Sequence, residues 1–281
     1  MPKYDPEYVA ARGVLLDALE ALGSQRDAVV VVGAQAVYLH TGDAGISAVA
    51  PYTTDADLAL SPTELADEPH IEELMLGADF RQEGGPGVWR KTVNINGEDV
   101  DIPVDLMVPQ GFAPPGSGRR SVKLPPHDKM IARQAIGLEG TLLDNDLIEV
   151  VALDDADSRR YTVRVAGPAA LVVAKVHKLR DRLADGKEDR VADKDAADVY
   201  RLMLAVPVRE VVARLSPLLD DDVAGPPCRE AVELLGQLFG APRSDGVRMA
   251  ADALRVAAPA ERIADVCTGF VRQVRETLEG G

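Results

Sequence analysis

The sequence predicts an α+β protein, with a mixed β-sheet flanked by helices followed by a helical lobe. Three observations lead to this fold class. Strand-like apolar runs and hairpin turns occur before residue 167. From there onward, almost every segment shows helical periodicity. The order of strands first and helices later is typical of α+β architectures. Two domains are therefore expected, at residues 1–166 and 167–281.

Apolar patterning and turn residues predict the elements of the first lobe. An amphipathic helix is expected over 8–22, ending at Gly23. Four consecutive valines over 29–32 predict a buried strand, and a short helix is expected to begin at Gly33. The Asn96-Gly97 pair is a strong signal for a tight hairpin turn. The other predicted elements are a strand over 55–60, helices over 64–76 and 127–136, and hairpins of 88–95 with 100–108 and of 147–153 with 161–165.

Helical periodicity predicts the whole of the second lobe. Helices are expected over 168–183, 194–204, 208–215, 227–239, 247–255 and 261–278. Cys228 and Cys267 lie apart in this part of the chain, without the spacing of metal ligands. We therefore expect two reduced core thiols rather than a disulfide or a zinc site.

Composition restricts the partners and the environment of the protein. The net charge of −15 over 281 residues argues against broad nonspecific nucleic-acid binding, which needs a basic surface. A nucleic-acid substrate would require a local basic patch, for which the candidates are residues 119–123 and 175–182. No apolar run reaches the length of a membrane span, and the N-terminus lacks a signal-peptide pattern. A cytoplasmic protein without membrane association is expected.

The most informative pattern is a strand and a glycine-led helix, followed about twenty residues later by paired carboxylates. Gly33 and Ala34 open a helix directly behind the valine strand, where helix amides can bind phosphate. Asp55 and Asp57 lie two residues apart in a predicted strand and should project from one face of the sheet. Helix amides beside paired carboxylates can hold a triphosphate and its Mg²⁺, which indicates nucleotide chemistry.

The Asp-x-Asp spacing is by itself a weak signal, because it occurs six times in this acidic chain. Only the pair Asp55 and Asp57 follows a strand–glycine–helix element and is preceded by the hydroxyls of Thr53 and Thr54. The alternative interpretation of this pair is a solvent-facing strand edge. We interpret it as a metal-binding pair.

A third carboxylate is expected from the strand over 100–108. Asp105 is preferred because apolar residues follow it closely, and Asp101 is the other choice. Three carboxylates around two Mg²⁺ ions can activate an attacking hydroxyl and neutralise charge on the α-phosphate and the leaving pyrophosphate. The alternative is a half-exposed strand whose outer face is simply acidic.

A second cluster of charged residues lies in the first helix of the helical lobe. Lys175, Lys178 and Arg182 share one helical face through their spacing. Lys175 follows an apolar run, so its ammonium group needs an anionic partner. That partner is either a phosphate or a carboxylate such as Asp195 or Asp198, and the residues leave both interpretations open.

These segments together resemble the polymerase-β-like nucleotidyltransferase superfamily. The resemblance is carried first by Gly33-Ala34, by the run over 53–58 and by Val104-Asp105-Leu106-Met107-Val108-Pro109. The segments over 175–182 and 194–200 make the chain similar to the AbiEii/MenT group of nucleotidyltransferase toxins, which belong to toxin–antitoxin systems. The resemblance covers roughly residues 28–204.

The resemblance implies Mg²⁺-dependent transfer of a nucleoside monophosphate from an NTP. It implies that Asp55 and Asp57 bind metal, that Thr53 contacts the nucleotide and that Lys175 holds the triphosphate. Either Asp195 or Asp198 would be the required carboxylate of the later motif. The nucleotide-binding residues expected in all are Gly33, Ala34, Thr53, Thr54, Lys178 and Arg182. The chain departs from the pattern at Ala34, where the family often has glycine or serine, so a serine hydroxyl contact would be missing.

The implied acceptor is RNA, with the 3′ end of tRNA as the expected target, so that its modification would block translation. A cognate antitoxin is the implied protein partner. One alternative is transfer to a small hydroxylated molecule such as an aminoglycoside, because the acidic composition suits a polycationic acceptor better than RNA. The other alternative is a non-catalytic member of the fold that binds protein.

Overall fold

The computed structural model describes residues 4–42, 52–118, 120–184 and 190–280. The sequence predicts a loop over 42–51, and apart from Gly42 this segment lies outside the described ranges, as does Arg119 of the candidate basic patch. The described residues form two units. The first contains residues 4–39, 52–118, 120–135 and 145–166, and the second contains 40–42, 136–144, 167–184 and 190–280.

The first unit is built on an eight-stranded mixed sheet. Its strands are β1 (Val29–Val32), β2 (Ala56–Leu60), β3 (Arg81–Gln82), β4 (Val88–Ile95), β5 (Glu98–Pro109), β6 (Arg133–Ala135), β7 (Asn145–Val151) and β8 (Arg160–Ala166). The order across the sheet is β3-β4-β5-β2-β1-β8-β7, and β6 pairs with β5. β1 is antiparallel to β2 and parallel to β8, while β2 is parallel to β5. The predicted α+β class is confirmed.

Helices flank this sheet, and the first of them begins after a capping residue. Helix α1 (Pro6–Ala21) has Asp5 as its N-cap, whose carboxylate accepts a hydrogen bond from the next turn. α1 packs on β2, β4, β5 and β8. Its face toward the core includes Ala11, Leu15 and Leu19, which recur every four residues and are buried. Helix α2 spans Gly33–Thr41 and helix α3 spans Ile71–Gly77.

The hairpin of β4 and β5 follows the sequence prediction. Asn96 and Gly97 form its turn with positive φ angles of 53° and 93°, as the tight hairpin turn requires. Along β5, alternate residues over 102–108 are buried, while Asp99 and Asp101 are exposed. The side of β5 that carries its aspartates is therefore the more solvent-exposed side.

Two predicted helices are wrong. In the segment over 64–76, only Ile71 onward is helical, because Pro69 lacks the N–H that a helix interior needs. Residues 127–136 contain turns and the strand β6 instead of a helix. β4 begins at Val88, opposite Asp105, so the stretch of β5 from Met107 onward has no partner in β4 and pairs with β6 instead. This long-range pairing overrides the local helical preference.

The second unit is helical, as predicted. Its helices are α4 (Pro168–Ala184), α5 (Arg190–Ala205), α6 (Val208–Asp220), α7 (Gly225–Phe239), α8 (Asp245–Ala253) and α9 (Ala260–Gly280). Cys228 and Cys267 are free thiols, and the burial of both confirms that they lie in the core. Burial raises the pKa of Cys228 to about 11 and that of Cys267 to about 12. Within the described ranges, no helix is both long and apolar enough to span a membrane.

Candidate functional site

The junction of β1 and α2 lies against the beginning of β2. In the antiparallel pair of β1 and β2, Val32 is opposite Asp57, so Gly33 lies beside that carboxylate. Gly33 has a φ of +71°, and a Cβ atom there would lie 2.0 Å from Oδ2 of Asp57. A larger residue would therefore both strain the backbone and collide with the carboxylate. Steric hindrance therefore explains why glycine occupies this position, which the sequence pattern also identified.

The register of β2 and β5 places a second carboxylate beside Asp57. These strands are parallel, and Asp57 lies opposite Asp105. Residues opposite each other on neighbouring strands project to the same face of the sheet. Asp105 is partly buried, and its Oδ2 accepts a hydrogen bond of 2.7 Å from the guanidinium of Arg133 on β6. The structure thus brings Asp105 next to Asp57.

Asp101, the other choice for the third carboxylate, lies in an exposed part of β5. Its Oδ1 accepts hydrogen bonds of 2.9 Å from Arg81 and 2.6 Å from the hydroxyl of Thr92. These hydrogen bonds, led by that from Thr92, lower the pKa of Asp101. Asp101 lies four residues from Asp105 along the strand and is not opposite Asp57. The structure therefore does not bring Asp101 close to Asp57 and Asp105.

Asp55 directly precedes the first residue of β2. The buried hydroxyl of Thr53 donates a hydrogen bond to Oδ1 of Asp55, so these two predicted site residues contact each other. The main-chain carbonyl of Asp55 accepts a 3.0 Å hydrogen bond from the side chain of Gln35. Thr54 is partly exposed, and Ala34 is buried within α2.

The donor chemistry of the three aspartates suits Mg²⁺, which prefers carboxylate oxygens. In this structure, however, the carboxylate oxygens of these aspartates are not as close together as the ligand atoms of a second set of side chains. Among the described residues, Glu68, His70 and Glu73 form the one set of three acidic or histidine side chains whose ligand atoms lie within 4.8 Å of one another. That set follows the end of β2, whereas Asp55 and Asp57 lie at its beginning.

The second unit contains a buried cluster of ion pairs that joins α4 to α5. Nζ of Lys175 lies 2.7 Å from Oδ1 of Asp195 and 2.6 Å from Oδ2 of Asp198. Asp195 also pairs with Arg182 at 2.7 Å and with Lys178 at 3.6 Å. The five residues that the sequence identified here therefore lie together. In this structure the anionic partners of Lys175 are both carboxylates.

Burial divides the cations of this cluster into two kinds. The side chain of Lys175 is 4% exposed, while those of Lys178 and Arg182 are 43% and 23% exposed. Burial alone would lower the pKa of Lys175, but Asp195 and Asp198 hold it well above its usual value. Burial alone would raise the pKa of Asp195, but the charges of Lys175, Lys178 and Arg182 lower it to about 2.

The lowered pKa of Asp195 makes the stability of the protein depend on pH. An unfolded aspartate titrates near a pKa of about 4, so the ion pairs of Asp195 stabilise the fold fully above that pH. As pH falls from about 4 to about 2, we expect about 2 kcal/mol of this stabilisation to disappear. Urea unfolding of the wild type and of Asp195→Asn should give free energies that converge over this interval. A difference that stays constant down to pH 2 would contradict the assignment.

Two site residues were missed by sequence reasoning. Arg133 lies in the segment over 127–136 that the sequence predicts to be a helix, and only the pairing of β6 with β5 brings it to Asp105. Gln35 follows Gly33 and Ala34 directly, but its role depends on contacts with residues far away in the chain. The signal available for Gln35 was its position, since a polar residue lies in a mostly apolar helix start.

Comparison with known proteins gives one family. A family model described as Nucleotidyltransferase matches residues 11–221, which is most of the chain. The matched range includes Gly33, the aspartates of β2 and β5, and the cluster at Lys175. No curated protein matches the chain significantly. Nucleotidyltransferases use an NTP as substrate and generally require a divalent metal ion. The chain belongs to this nucleotidyltransferase family and is a transferase of the nucleotide-transferring class.

Proposed function

We propose that the protein is the cytoplasmic toxin of a toxin–antitoxin system and that it transfers a nucleoside monophosphate to RNA. The acceptor would be the 3′ end of tRNA, so that modified tRNA could no longer serve translation. The observation that carries the transferase site is the placement of Asp57 opposite Asp105 and against Gly33. The toxin role and the RNA acceptor rest on the resemblance of residues 28–204 to the AbiEii/MenT group.

In the proposed reaction, a hydroxyl oxygen of the acceptor bonds to the α-phosphorus of the NTP, the bond from that phosphorus to the pyrophosphate group breaks, and the hydroxyl proton passes to solvent. Asp55, Asp57 and Asp105 would hold Mg²⁺, which supplies charge neutralisation at the phosphates when bound. The amides at the start of α2, from Gly33 onward, can orient phosphate oxygens. Arg133, which pairs with Asp105, could instead pair with a phosphate oxygen, because guanidinium groups bind both carboxylates and phosphates.

The cluster of α4 and α5 is proposed as a phosphate-binding element. Lys178 and Arg182 are its partly exposed cations and would contact phosphate directly. Lys175 would offset part of the negative charge of Asp195 and Asp198, and Lys178 and Arg182, which also pair with Asp195, would share their charge with the phosphate. The division into a nucleotidyltransferase lobe over 1–166 and a helical lobe over 167–281 is part of the same proposal.

A small polycationic acceptor is the second candidate, favoured by the net charge of −15. The attraction of an acidic protein for a molecule such as an aminoglycoside needs no local basic patch, whereas tRNA binding does. In this case the same carboxylates would catalyse transfer to a hydroxyl of the small molecule. The two candidates differ in the acceptor and share the chemistry.

Labelling with each α-³²P-NTP in the presence of Mg²⁺ tests both candidates. One set of reactions contains total tRNA, and the other contains a panel of aminoglycosides. We expect label on tRNA with one preferred NTP, and no label on tRNA with Asp57→Asn. Label confined to the aminoglycosides would replace the RNA proposal with the second candidate. Absence of label in both sets would contradict both.

The toxin role is tested by expression in a bacterial host. Wild-type protein should arrest growth, and equal amounts of Asp57→Asn protein should not. Co-expression of the cognate antitoxin should restore growth. Arrest by both proteins alike would show that growth inhibition does not depend on nucleotide transfer.

A further inference from the structure

The buried side chain of Gln35 joins α2 to the main chain at Asp55. Gln35 is 1% exposed. Its Nε2 donates hydrogen bonds to the carbonyl of Asp55 at 3.0 Å and to that of Ala11 at 3.1 Å. Its Oε1 accepts a 2.7 Å hydrogen bond from Nε of Arg12. One amide thus connects α1, α2 and the residue that precedes β2.

The chemistry of the neighbours fixes the orientation of this amide. Rotation by 180° would turn Nε2 toward the N–H of Arg12 and Oε1 toward two carbonyl oxygens. Each of the three contacts would then pair two donors or two acceptors. Since a buried polar group without a partner costs about 1–3 kcal/mol, the observed orientation is strongly favoured. Gln35 therefore holds the carbonyl of Asp55 in one place.

Arg12 in turn holds the side chain of Gln35, and the other hydrogen-bond partners of Arg12 are neutral groups. Arg12 is 3% exposed, and its other hydrogen bonds go to the carbonyl of Val151 at 3.1 Å and to the hydroxyl of Tyr8 at 3.2 Å. Burial lowers the pKa of Arg12. Among the described residues, no carboxylate forms an ion pair with it. Burying a cation among neutral partners costs folding free energy. This cost indicates that Arg12 has a role other than packing.

Asp55 needs an external support for its main chain. The ladder of β2 with β5 begins at Ala56, so Asp55 lies outside the paired residues. The hydrogen bond from Gln35 holds its carbonyl where no neighbouring strand does. The carboxylate of Asp55 is held separately by the hydroxyl of Thr53. The position of this carboxylate thus depends on two contacts from outside the strand.

We propose that Gln35 is a positioning residue, which sets the place of the Asp55 carboxylate relative to Asp57 by fixing the main chain of Asp55. This inference rests on the proposed function, in which Asp55 is a metal ligand. Residues that orient metal ligands typically change metal affinity or activity by about 10–100-fold when they are replaced. Loss of Gln35 should have an effect in that range.

The chain offers a closely matched control in Gln25. Gln25 is 2% exposed, and its Nε2 also donates to two main-chain carbonyls, those of Ala66 at 3.0 Å and Pro69 at 2.9 Å. Its Oε1 accepts a 2.9 Å hydrogen bond from the N–H of Ala66. These partners follow the end of β2, whereas Asp55 precedes its beginning. Gln25 is therefore an equally buried bridging amide without a connection to Asp55.

The variants Gln35→Glu and Gln25→Glu separate positioning from stability. Glutamate keeps the oxygen that receives a hydrogen bond and removes the two donors. Both variants should unfold at lower urea concentration than the wild type, with the smaller loss in Gln35→Glu because its carboxylate would face the guanidinium of Arg12. Mn²⁺ binding without nucleotide, followed by electron paramagnetic resonance, should weaken about 10-fold or more in Gln35→Glu only. The kcat for pyrophosphate release should fall in the same variant, with Gln25→Glu within about twofold of the wild type.

The variant Asp55→Asn distinguishes two of the outcomes that would overturn the inference. If Asp55→Asn loses Mn²⁺ affinity and Gln35→Glu retains it, Gln35 has no positioning role and the proposed site stands. If Asp55→Asn also retains Mn²⁺ affinity, the metal role of Asp55 fails and the inference fails with it. Should Gln35→Glu not fold, the neutral pair Gln35→Met and Gln25→Met gives the same comparison. Equal loss of Mn²⁺ affinity in both members of that pair would likewise overturn the inference.

Discussion

Replacing Asp57 with asparagine is expected to lower the rate of nucleotidyl transfer by about 10³-fold and to leave the fold intact. In the proposed site, the change removes one negative charge from the metal-binding group. A loss of about 4 kcal/mol of transition-state stabilisation, within the range of metal-ion catalysis, corresponds to this factor. Asparagine has nearly the same volume, so the space against Gly33 stays filled. The measurement is kcat/KM for pyrophosphate release, with circular dichroism to check the fold.

Two variants of β5 serve as the comparison for Asp57→Asn. Asp105→Asn removes the carboxylate opposite Asp57 and should also lower activity strongly. Asp101→Asn removes an exposed carboxylate that is bonded to Arg81 and Thr92, so activity should stay within about twofold of the wild type. Full activity in Asp57→Asn would refute the site. Equal losses in the two β5 variants would refute the choice of Asp105.

Replacing Lys175 with methionine is expected to lower the free energy of unfolding by about 3–5 kcal/mol. The change leaves Asp195 and Asp198 buried, with side chains 5% and 1% exposed, and removes the ammonium that lies between them. A folded domain has a total stability of about 5–15 kcal/mol, so this variant should unfold at a much lower urea concentration than the wild type. Urea denaturation followed by circular dichroism measures the difference.

The triple variant Lys175→Met, Asp195→Asn, Asp198→Asn tests the cause of that loss. It removes the buried charges together, so it should recover much of the stability lost in the single variant. Lys178→Met removes a more exposed cation and should cost less than about 1 kcal/mol. A Lys175→Met protein that is stable but inactive would contradict the structural role and favour direct contact of Lys175 with the triphosphate.

Much of the fold could be predicted from the sequence because its signals are local. Four valines in succession, the Asn96-Gly97 turn and the alternation along β5 each depend on residues close together in the chain. The same is true of the helices after residue 167, whose periodicity is continuous. The two wrong helices show the limit of such signals. Pro69 interrupts one of them, and pairing with β5 turns part of the other into β6.

For the candidate site, too, some features follow from the sequence alone and others from the tertiary structure. The sequence by itself determined which residues are candidates: Gly33 after a buried strand, Asp55 and Asp57 shortly after it, and Lys175 on an apolar helix. The sequence also determined the protein family, because residues 11–221 match the model of a nucleotidyltransferase family.

Only the tertiary structure decided which candidates lie together. It placed Asp105 rather than Asp101 beside Asp57, put the ammonium of Lys175 between two carboxylates and connected Gln35 to Asp55. The physical reason is that strand register and burial arise from contacts between distant parts of the chain. Residue spacing within one segment of the chain does not by itself specify which distant segment pairs with it.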